Sequence, residues 1–314
     1  MSSLTTRPLG ASGLKTSIVG LGCNNFGRRA DLAATRAVID TALEEGVTFL
    51  DTADIYGRGQ SEEYLGEVLQ GRRDDVVLAT KFGMDMGDGR GPRGSRDYIL
   101  HCIDASLTRL RTDTIDYYWY HQPDGVTPIA ETLGALDELV RAGKVRYIGA
   151  SNFEAWRTVD AEWSARSAHR ARFISAQNRY NLLERDVERE LVPAALRCGV
   201  GILPWFPLAA GVLTGKYRRG EEPAPGTRLA GSQLAGSMLT DHAFTVVERL
   251  EAFAGACGHS MLEVAIAGLA SRPAVGSVIA GATSPEQVRA NAQAGDWELS
   301  AEEREALEAA LASQ

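Results

Sequence analysis

Asp51, Tyr56, Lys81 and His121 are residue types that together could move a proton to or from a substrate oxygen. A phenol can act as the acid, a lysine cation beside it can support the phenolate left behind, a carboxylate can hold the lysine, and an imidazole can aim at the reacting oxygen. Their spacing is what could bring them together. Residues 47–50 form a short apolar and β-branched run that ends at Asp51, residues 76–80 form another that ends at Lys81, and residues 115–120 a third that ends at His121. Each run reads as a buried parallel strand, and a charge at the end of a buried strand needs a partner. Tyr56 follows Asp51 in a loop able to bend back over the same rim. A single lysine after a strand is usually a surface residue, and a single histidine is usually structural. Three polar groups closing three successive strands point instead to one site.

The elements needed to position such a set are those of a parallel barrel or a doubly wound sheet, which gather sites at the carboxyl ends of their strands. The chain reads as alternating strand and helix. Turn residues at 11–13 separate two short extended segments, which predicts a hairpin plugging the floor of a barrel before a first barrel strand at 17–21. The loop at 22–27 consists largely of small and amide residues that let a ligand approach the backbone. Helical apolar spacing runs over 32–45, stopped by Gly46, and again over 61–69. The glycine-rich segment 84–94 lacks periodicity and reads as a long rim loop, in which Met84 and Met86 are either substrate contacts or loop filler. Ser95 can cap the next helix. Trp119 shares a face with His121 and belongs either to the pocket or to the core.

A helix over 129–141 precedes a strand at 145–150, and further strands read at 173–176, 200–204 and 277–280. Segment 209–238 is too long and irregular for an ordinary connection and is either a loop that embraces a ligand or a disordered linker. Helices follow, one capped by Thr240 or Asp241 and one over 261–270. Ser284, Pro285 and Gln287 predict an N-cap, a first-turn proline and a capping-box glutamine, and that helix start is either an anion site or simply well capped.

A chain of 314 residues with 44% hydrophobic content can bury a large core, so one domain over 1–314 is expected rather than two. The formal net charge of −8 argues against a nucleic-acid groove. Cys23, Cys102, Cys198 and Cys257 are far apart and follow no metal-ligand spacing, which fits reduced, buried thiols and no metal. Residues 1–7 lack the apolar core of a secretory signal and no apolar run reaches bilayer length, so a cytoplasmic protein without membrane partners is expected.

Four stretches carry a family resemblance: Asp-Thr-Ala-Asp-Ile-Tyr-Gly at 51–57, Ala-Thr-Lys-Phe-Gly at 79–83, His-Gln-Pro-Asp at 121–124, and Gly-Lys-Val-Arg-Tyr-Ile-Gly-Ala-Ser-Asn-Phe at 143–153. They resemble the signatures of the aldo-keto reductases and fall in that family's order across almost the whole chain. The resemblance implies an α/β fold, a (β/α)8 TIM barrel with an N-terminal β-hairpin and a long cofactor-binding loop. It implies NADPH-dependent reduction of small aldehydes or ketones to alcohols by hydride transfer, with Tyr56 as acid, Lys81 beside it, Asp51 holding Lys81 and His121 on the carbonyl. Trp205, followed by Pro207-Leu208-Ala209 and later Gly215-Lys216-Tyr217, resembles the branch that includes the potassium-channel β subunits.

Cofactor contacts follow from the same resemblance. Gly22, Cys23 and Asn24 would lie beside the nicotinamide together with Asp51, Ser151 and Asn152 would bind its carboxamide, and Gln177 would stand next to them. Trp205 would stack on the ring. Phe206, Pro207, Leu208, Ala209 and Gly211 would begin the loop over the cofactor, in which Lys216 meets the pyrophosphate and Arg228 the adenosine 2′-phosphate. Gly281 and Thr283 join the set at the last strand end, with Gln287 and Asn291 as adenosine contacts. Gly281 and Gln287 stand where other members carry lysine and arginine, and Ala290 replaces an acidic adenine contact. Either Arg228 therefore selects NADPH, or it is a solvated loop charge and NADH serves as well. A rival from another class is a cofactor-holding redox sensor on the same fold, against which His121 stands, because the channel subunits carry a different residue there. The sequence carries no signal for an oligomeric state.

A lysine cation about 4 Å from the phenol is worth roughly 4 kcal/mol at an effective dielectric of about 20, about three pKa units at most, so Lys81 should pull the Tyr56 pKa down even after Asp51 cancels part of it. Asp54 and Asp124 should make structural hydrogen bonds in their loops.

Overall fold

The computed structural model of the protein describes residues 4–312. Strands β1 (Thr6–Pro8) and β2 (Lys15–Ser17) pair antiparallel as the expected hairpin. Just past β1, Leu9 inserts among Phe49, Ala79, Tyr117, Trp119, Leu203 and Ile279, which are the inward side chains of the barrel above it. Gly10 makes that insertion possible. Its φ is +57°, and a Cβ there would meet the carbonyl oxygens of Ile174 and Gly199 at 2.5 and 2.6 Å.

Eight parallel strands then follow: β3 (Val19–Gly22), β4 (Phe49–Asp51), β5 (Val77–Phe82), β6 (Ile115–Tyr120), β7 (Val145–Ser151), β8 (Phe173–Arg179), β9 (Gly201–Trp205) and β10 (Val278–Gly281). Their order is β10-β3-β4-β5-β6-β7-β8-β9. The remaining seam is nearly closed by Ile202, whose amide donates to the Ala274 carbonyl at 2.6 Å and whose carbonyl accepts from Gly276 at 3.0 Å. The expected (β/α)8 barrel is thus the fold. Its first strand begins at residue 19 rather than 17, because the Ser17 hydroxyl donates to the Val19 carbonyl and accepts from the Thr48 and Phe49 amides, marking the step from hairpin to barrel.

The connecting helices are α1 (Leu32–Glu44), α2 (Gln60–Val68), α3 (Arg96–Leu110), α4 (Ile129–Arg141), α5 (Ala155–Ser167), α6 (Leu191–Cys198), the short α7 (Ala235–Met238), α8 (Asp241–Cys257), α9 (Met261–Ala270), α10 (Pro285–Ala294) and α11 (Ala301–Leu311). Side chains of Asp31, Ser95, Thr240, Ser260, Ser284 and Ser300 cap six of them, each satisfying an amide of the first turn. Helix α5 had no expectation attached to it. Its tryptophans, Trp156 and Trp163, are exposed, so its apolar residues do not trace one buried stripe. Among the described residues no single helix is long and apolar enough to cross a membrane; α8 and α9 pass such a test only jointly, across a 92° bend.

Strand alternation explains how the barrel carries a polar rim on an apolar floor. Phe49, Ala79 and Trp119 point into the lower barrel, so Asp51, Lys81 and His121, each two residues on, belong to the layer above. Leu203 and Trp205 repeat the relation, as do Ile279 and Gly281. Trp119 is therefore core rather than pocket, fully buried against Tyr117.

Candidate active site

Lys81 is fully buried at the rim, and each of the three N–H donors of its ammonium meets an acceptor. It donates to Asp51 Oδ2 at 2.6 Å, to the Thr52 carbonyl at 2.7 Å and to Tyr56 Oη at 3.3 Å. The second Asp51 oxygen accepts from Gln177 Nε2 at 3.1 Å. His121 meets Tyr56 edge to face with ring centroids 6.0 Å apart. All four residues expected to form the set are thus within one hydrogen-bonded or ring-packed cluster.

The electrostatics differ from expectation at Tyr56. Burial drives its pKa up, Lys81 pulls it down, Asp51 pushes it up again, and the net direction is upward. The phenol therefore keeps its proton at neutral pH. For Lys81, burial lowers the pKa but Asp51 and Tyr56 outweigh it and the net shift is upward, so the side chain remains a cation. Burial, helped by the Lys81 charge, lowers His121 to about 3, which leaves a neutral imidazole. Its Nδ1 is buried with no protein partner.

Behind the Tyr56 loop lies a second buried acidic group. Glu62 is fully buried, held by Arg109 at 2.7 Å and by the Thr80 hydroxyl at 2.5 Å. Asp54 does not make the expected structural hydrogen bonds. Both its oxygens are buried without a well-formed one, and burial first, then Glu62, raise its pKa to about 8, against smaller pulls from the Ile55 amide, Arg109 and Lys81. Asp124 does make them, accepting from the Gly94, Val126 and Thr127 amides and the Thr127 hydroxyl. These bonds hold its pKa at about 2 despite partial burial.

Above the cluster opens a cavity of about 990 Å³. Gly22, Asn24, Asp51, Tyr56, His121, Ser151, Asn152 and Gln177 line its inner part, and Met84 and Gln122 join them from the rim loops. Trp205, Phe206, Pro207, Leu208, Gly211, Lys216 and Arg228 line it from the β9 side, while Gly281, Thr283, Gln287 and Asn291 do so from β10 and α10. Cys23 and Ala209 do not line it. Cys23 is the next residue in alternation after Gly22, and its thiol turns outward to the Leu21 carbonyl, while Ala209 is buried under its own turn. Lys81 does not line the cavity itself, but its bonded partners Asp51 and Tyr56 do.

Asn152 connects several of these groups. It has a left-handed φ of 59°, donates to the His121 carbonyl at 3.0 Å and to Ser151 Oγ at 3.2 Å, and accepts from Trp205 Nε1 at 3.2 Å. Both amide hydrogens are used within the protein, so the residue ties the indole to the end of β6 at His121.

Segment 209–238 is ordered around the cavity rather than a linker. Left-handed φ at Phe206, just before it, and at Ala209, Ala210 and Gly211 within it turns the chain over the cavity. Gly211 has φ +93°, and a Cβ on it would strike Lys216 Cε at 2.3 Å, so glycine lets the lysine stem lie on the turn. Tyr217 Oη donates to the Ala210 carbonyl and accepts from the Leu229 amide, fixing the loop next to Arg228. On α10, Gln287 accepts from the Thr283 amide at 2.8 Å and not from that of Ser284, so it reaches one residue further back than a capping box does.

The family model described as the Aldo/keto reductase family matches residues 18–312. A probable voltage-gated potassium channel subunit beta of Arabidopsis thaliana is 36% identical over 297 residues, covering 92% of this chain and 90% of that protein. An uncharacterized oxidoreductase, YrpG, of Bacillus subtilis (strain 168) is 37% identical over 309 residues, with 94% and 92% covered. The L-glyceraldehyde 3-phosphate reductase of Escherichia coli (strain K12) is 34% identical over 305 residues, with 92% and 86% covered. The chain belongs to the aldo/keto reductase family.

Aldo/keto reductases act on small carbonyl compounds with nicotinamide cofactors, and the residues here fit such a group. The cavity is at the upper end of the usual range for ligand sites. Arg29, Lys216 and Arg228 face it with no carboxylate ion-paired to any of them among the described residues, a surplus of positive charge that suits phosphates. Arg29 and its neighbour Asn25 were not singled out in the sequence. The signal was a pair of arginines, Arg28 and Arg29, closing the first loop of small and amide residues.

Proposed function

We propose that this protein is an NADPH-dependent carbonyl reductase in which Tyr56 gives the proton to the substrate oxygen. The observation that carries the reading is the Lys81 ammonium, whose three N–H groups are committed to Asp51, Thr52 and Tyr56. Because Lys81 donates to Tyr56 Oη, the phenol's own O–H is free to donate into the cavity. When bound, the nicotinamide supplies the hydride. Tyr56, with its raised pKa, retains its proton until the oxygen above it becomes alkoxide-like, which is a far stronger base than phenolate. Lys81 then stabilises the phenolate at 3.3 Å, and neutral His121 offers a second hydrogen bond to orient the carbonyl. Arg228 and Lys216 are assigned to the cofactor's phosphates, and Trp205, tied to Asn152, to the nicotinamide face.

A second reading is favoured by one observation, the naming of similar plant proteins as probable potassium channel subunits. On that reading the protein holds the cofactor and turns over little. One experiment separates the two. A panel of aldehydes and ketones is followed at the nicotinamide absorbance with NADPH and with NADH, in single-turnover and steady-state modes. Steady-state reduction preferring NADPH is the expected result; oxidation of bound cofactor without further turnover on every carbonyl would favour the second reading.

A further inference from the structure

The mouth of the cavity is bordered by two loops that are far apart in sequence. One is the turn after β3, in which the Asn25 carbonyl accepts from the amides of Arg28, Arg29 and Ala30 at 2.8 to 3.2 Å, while Phe26 and Ala30 are buried beneath it. Asn25 Nδ2 in turn donates to the Ala282 carbonyl at 3.4 Å. The other is the loop after β9, pinned at Leu229, which is fully buried and bonded through its amide to Tyr217. Each loop thus presents an arginine immediately before a buried anchor, Arg29 before Ala30 and Arg228 before Leu229. Both arginines line the cavity, both are exposed, and neither is ion-paired to a carboxylate among the described residues.

The two charges feel each other. Although Arg228 keeps much of its surface in water, the cavity wall partly desolvates its guanidinium and lowers its pKa, and the positive charge of Arg29, with a smaller contribution from Arg28, lowers it further. Two fixed turns holding like charges at one mouth is an unfavourable arrangement unless an anion completes it. A phosphate monoester, which approaches two negative charges at neutral pH, has the valence to do so.

We propose that Arg29 and Arg228 are two jaws of one clamp on the 2′-phosphate of the cofactor, so that Arg29 is a second residue selecting NADPH over NADH. The inference rests on the nicotinamide reading above. The outer position of the pair favours the 2′-phosphate over the pyrophosphate, because the reacting ring must lie at the buried Tyr56 end and the adenosine phosphate is the group farthest from it. Lys216, on Gly211, is left for the pyrophosphate.

Binding of NADPH and NADH, measured by calorimetry with wild type, Arg29→Ala, Arg28→Ala and Arg29→Ala/Arg228→Ala, tests this without a substrate. Arg29→Ala should weaken NADPH about tenfold, the lower end for a charged hydrogen bond in a screened site, and NADH less than about twofold. Arg28→Ala, exposed but outside the cavity lining, should change either affinity less than about twofold. The double variant should lose less than the product of the single losses, since both residues serve one group. Unchanged NADPH affinity in Arg29→Ala, or equal weakening of both dinucleotides, overturns the clamp while leaving the nicotinamide reading intact. Wild-type protein that binds neither dinucleotide overturns both.

Discussion

The deep end of the cavity and its mouth hold charge in opposite ways. At the deep end Lys81 and Asp51 are buried, ion-paired at 2.6 Å and carried on adjacent strands β5 and β4. At the mouth Arg29, Lys216 and Arg228 are exposed, carried on loops, and left without carboxylate partners among the described residues. A charge that must support proton transfer at one atom is balanced within the protein and fixed by strands, because an unbalanced buried charge is costly. A charge meant for a ligand can stay unbalanced where water screens it until the ligand arrives. The deep end should therefore carry chemistry and stability, and the mouth affinity and selectivity.

The largest expected effect breaks the deep end chemically. Tyr56→Phe should lower kcat by about 10²- to 10⁴-fold, the usual contribution of a general acid, with cofactor affinity within about twofold of wild type. Steady-state rates beside a cofactor titration measure both, and a variant that kept more than about a tenth of wild-type turnover would remove Tyr56 from the acid role.

Lys81→Met breaks the same end structurally. It leaves the Asp51 carboxylate buried with only Gln177 as a side-chain partner, and loss of one partner of a buried pair costs about 3 to 5 kcal/mol. Chemical denaturation should show that loss, whereas Arg228→Ala at the mouth should stay within about 0.5 kcal/mol of wild type. Similar losses in the two variants would contradict the division of labour between the two ends.

Asp54, behind the Tyr56 loop, is a buried acid without an ion-pair partner among the described residues. Its folded pKa of about 8 lies above the unfolded carboxylate value. Between about pH 4 and pH 8 the unfolded chain has released this proton while the folded chain retains it, so Asp54 lowers stability as pH rises through that window, by up to about 1.4 kcal/mol per pH unit. Asp54→Asn should flatten that slope and be more stable than wild type at pH 8. Unfolding midpoints at several pH values provide the check, and parallel slopes in the two proteins would mean that Asp54 is paired in solution.

The smallest effect belongs to the mouth. Arg228→Ala should reduce the kcat/KM preference for NADPH over NADH about tenfold, chiefly through the NADPH KM. An unchanged ratio would assign discrimination elsewhere.

Much of the barrel was legible because the rules that build it are local. Alternation at a period of two puts Asp51, Lys81 and His121 in one layer above Phe49, Ala79 and Trp119. The loops were less legible. Asn25 and Arg29 have no periodicity to betray them, and the segment around Arg228 read as a ligand-embracing loop with a linker left open as the alternative, since what orders it is the distant pairing of Tyr217 with Ala210 and Leu229.

Local sequence was enough to place the strands that end at Asp51, Lys81 and His121, the helix caps at Ser95 and Ser284, and the expectation that Tyr56 shares their rim, because each depends on neighbours a few positions away. The sign of the Tyr56 shift, by contrast, is a product of barrel closure, where burial and Asp51 together outweigh Lys81. The folded chain also leaves Asp54 buried without a good partner, turns Cys23 away from the cavity, and brings Arg29 to the same mouth as Arg228. Each of these is a balance or a meeting between groups brought together by barrel closure, and neither burial depth nor the distance between two loops is encoded in spacing along the chain.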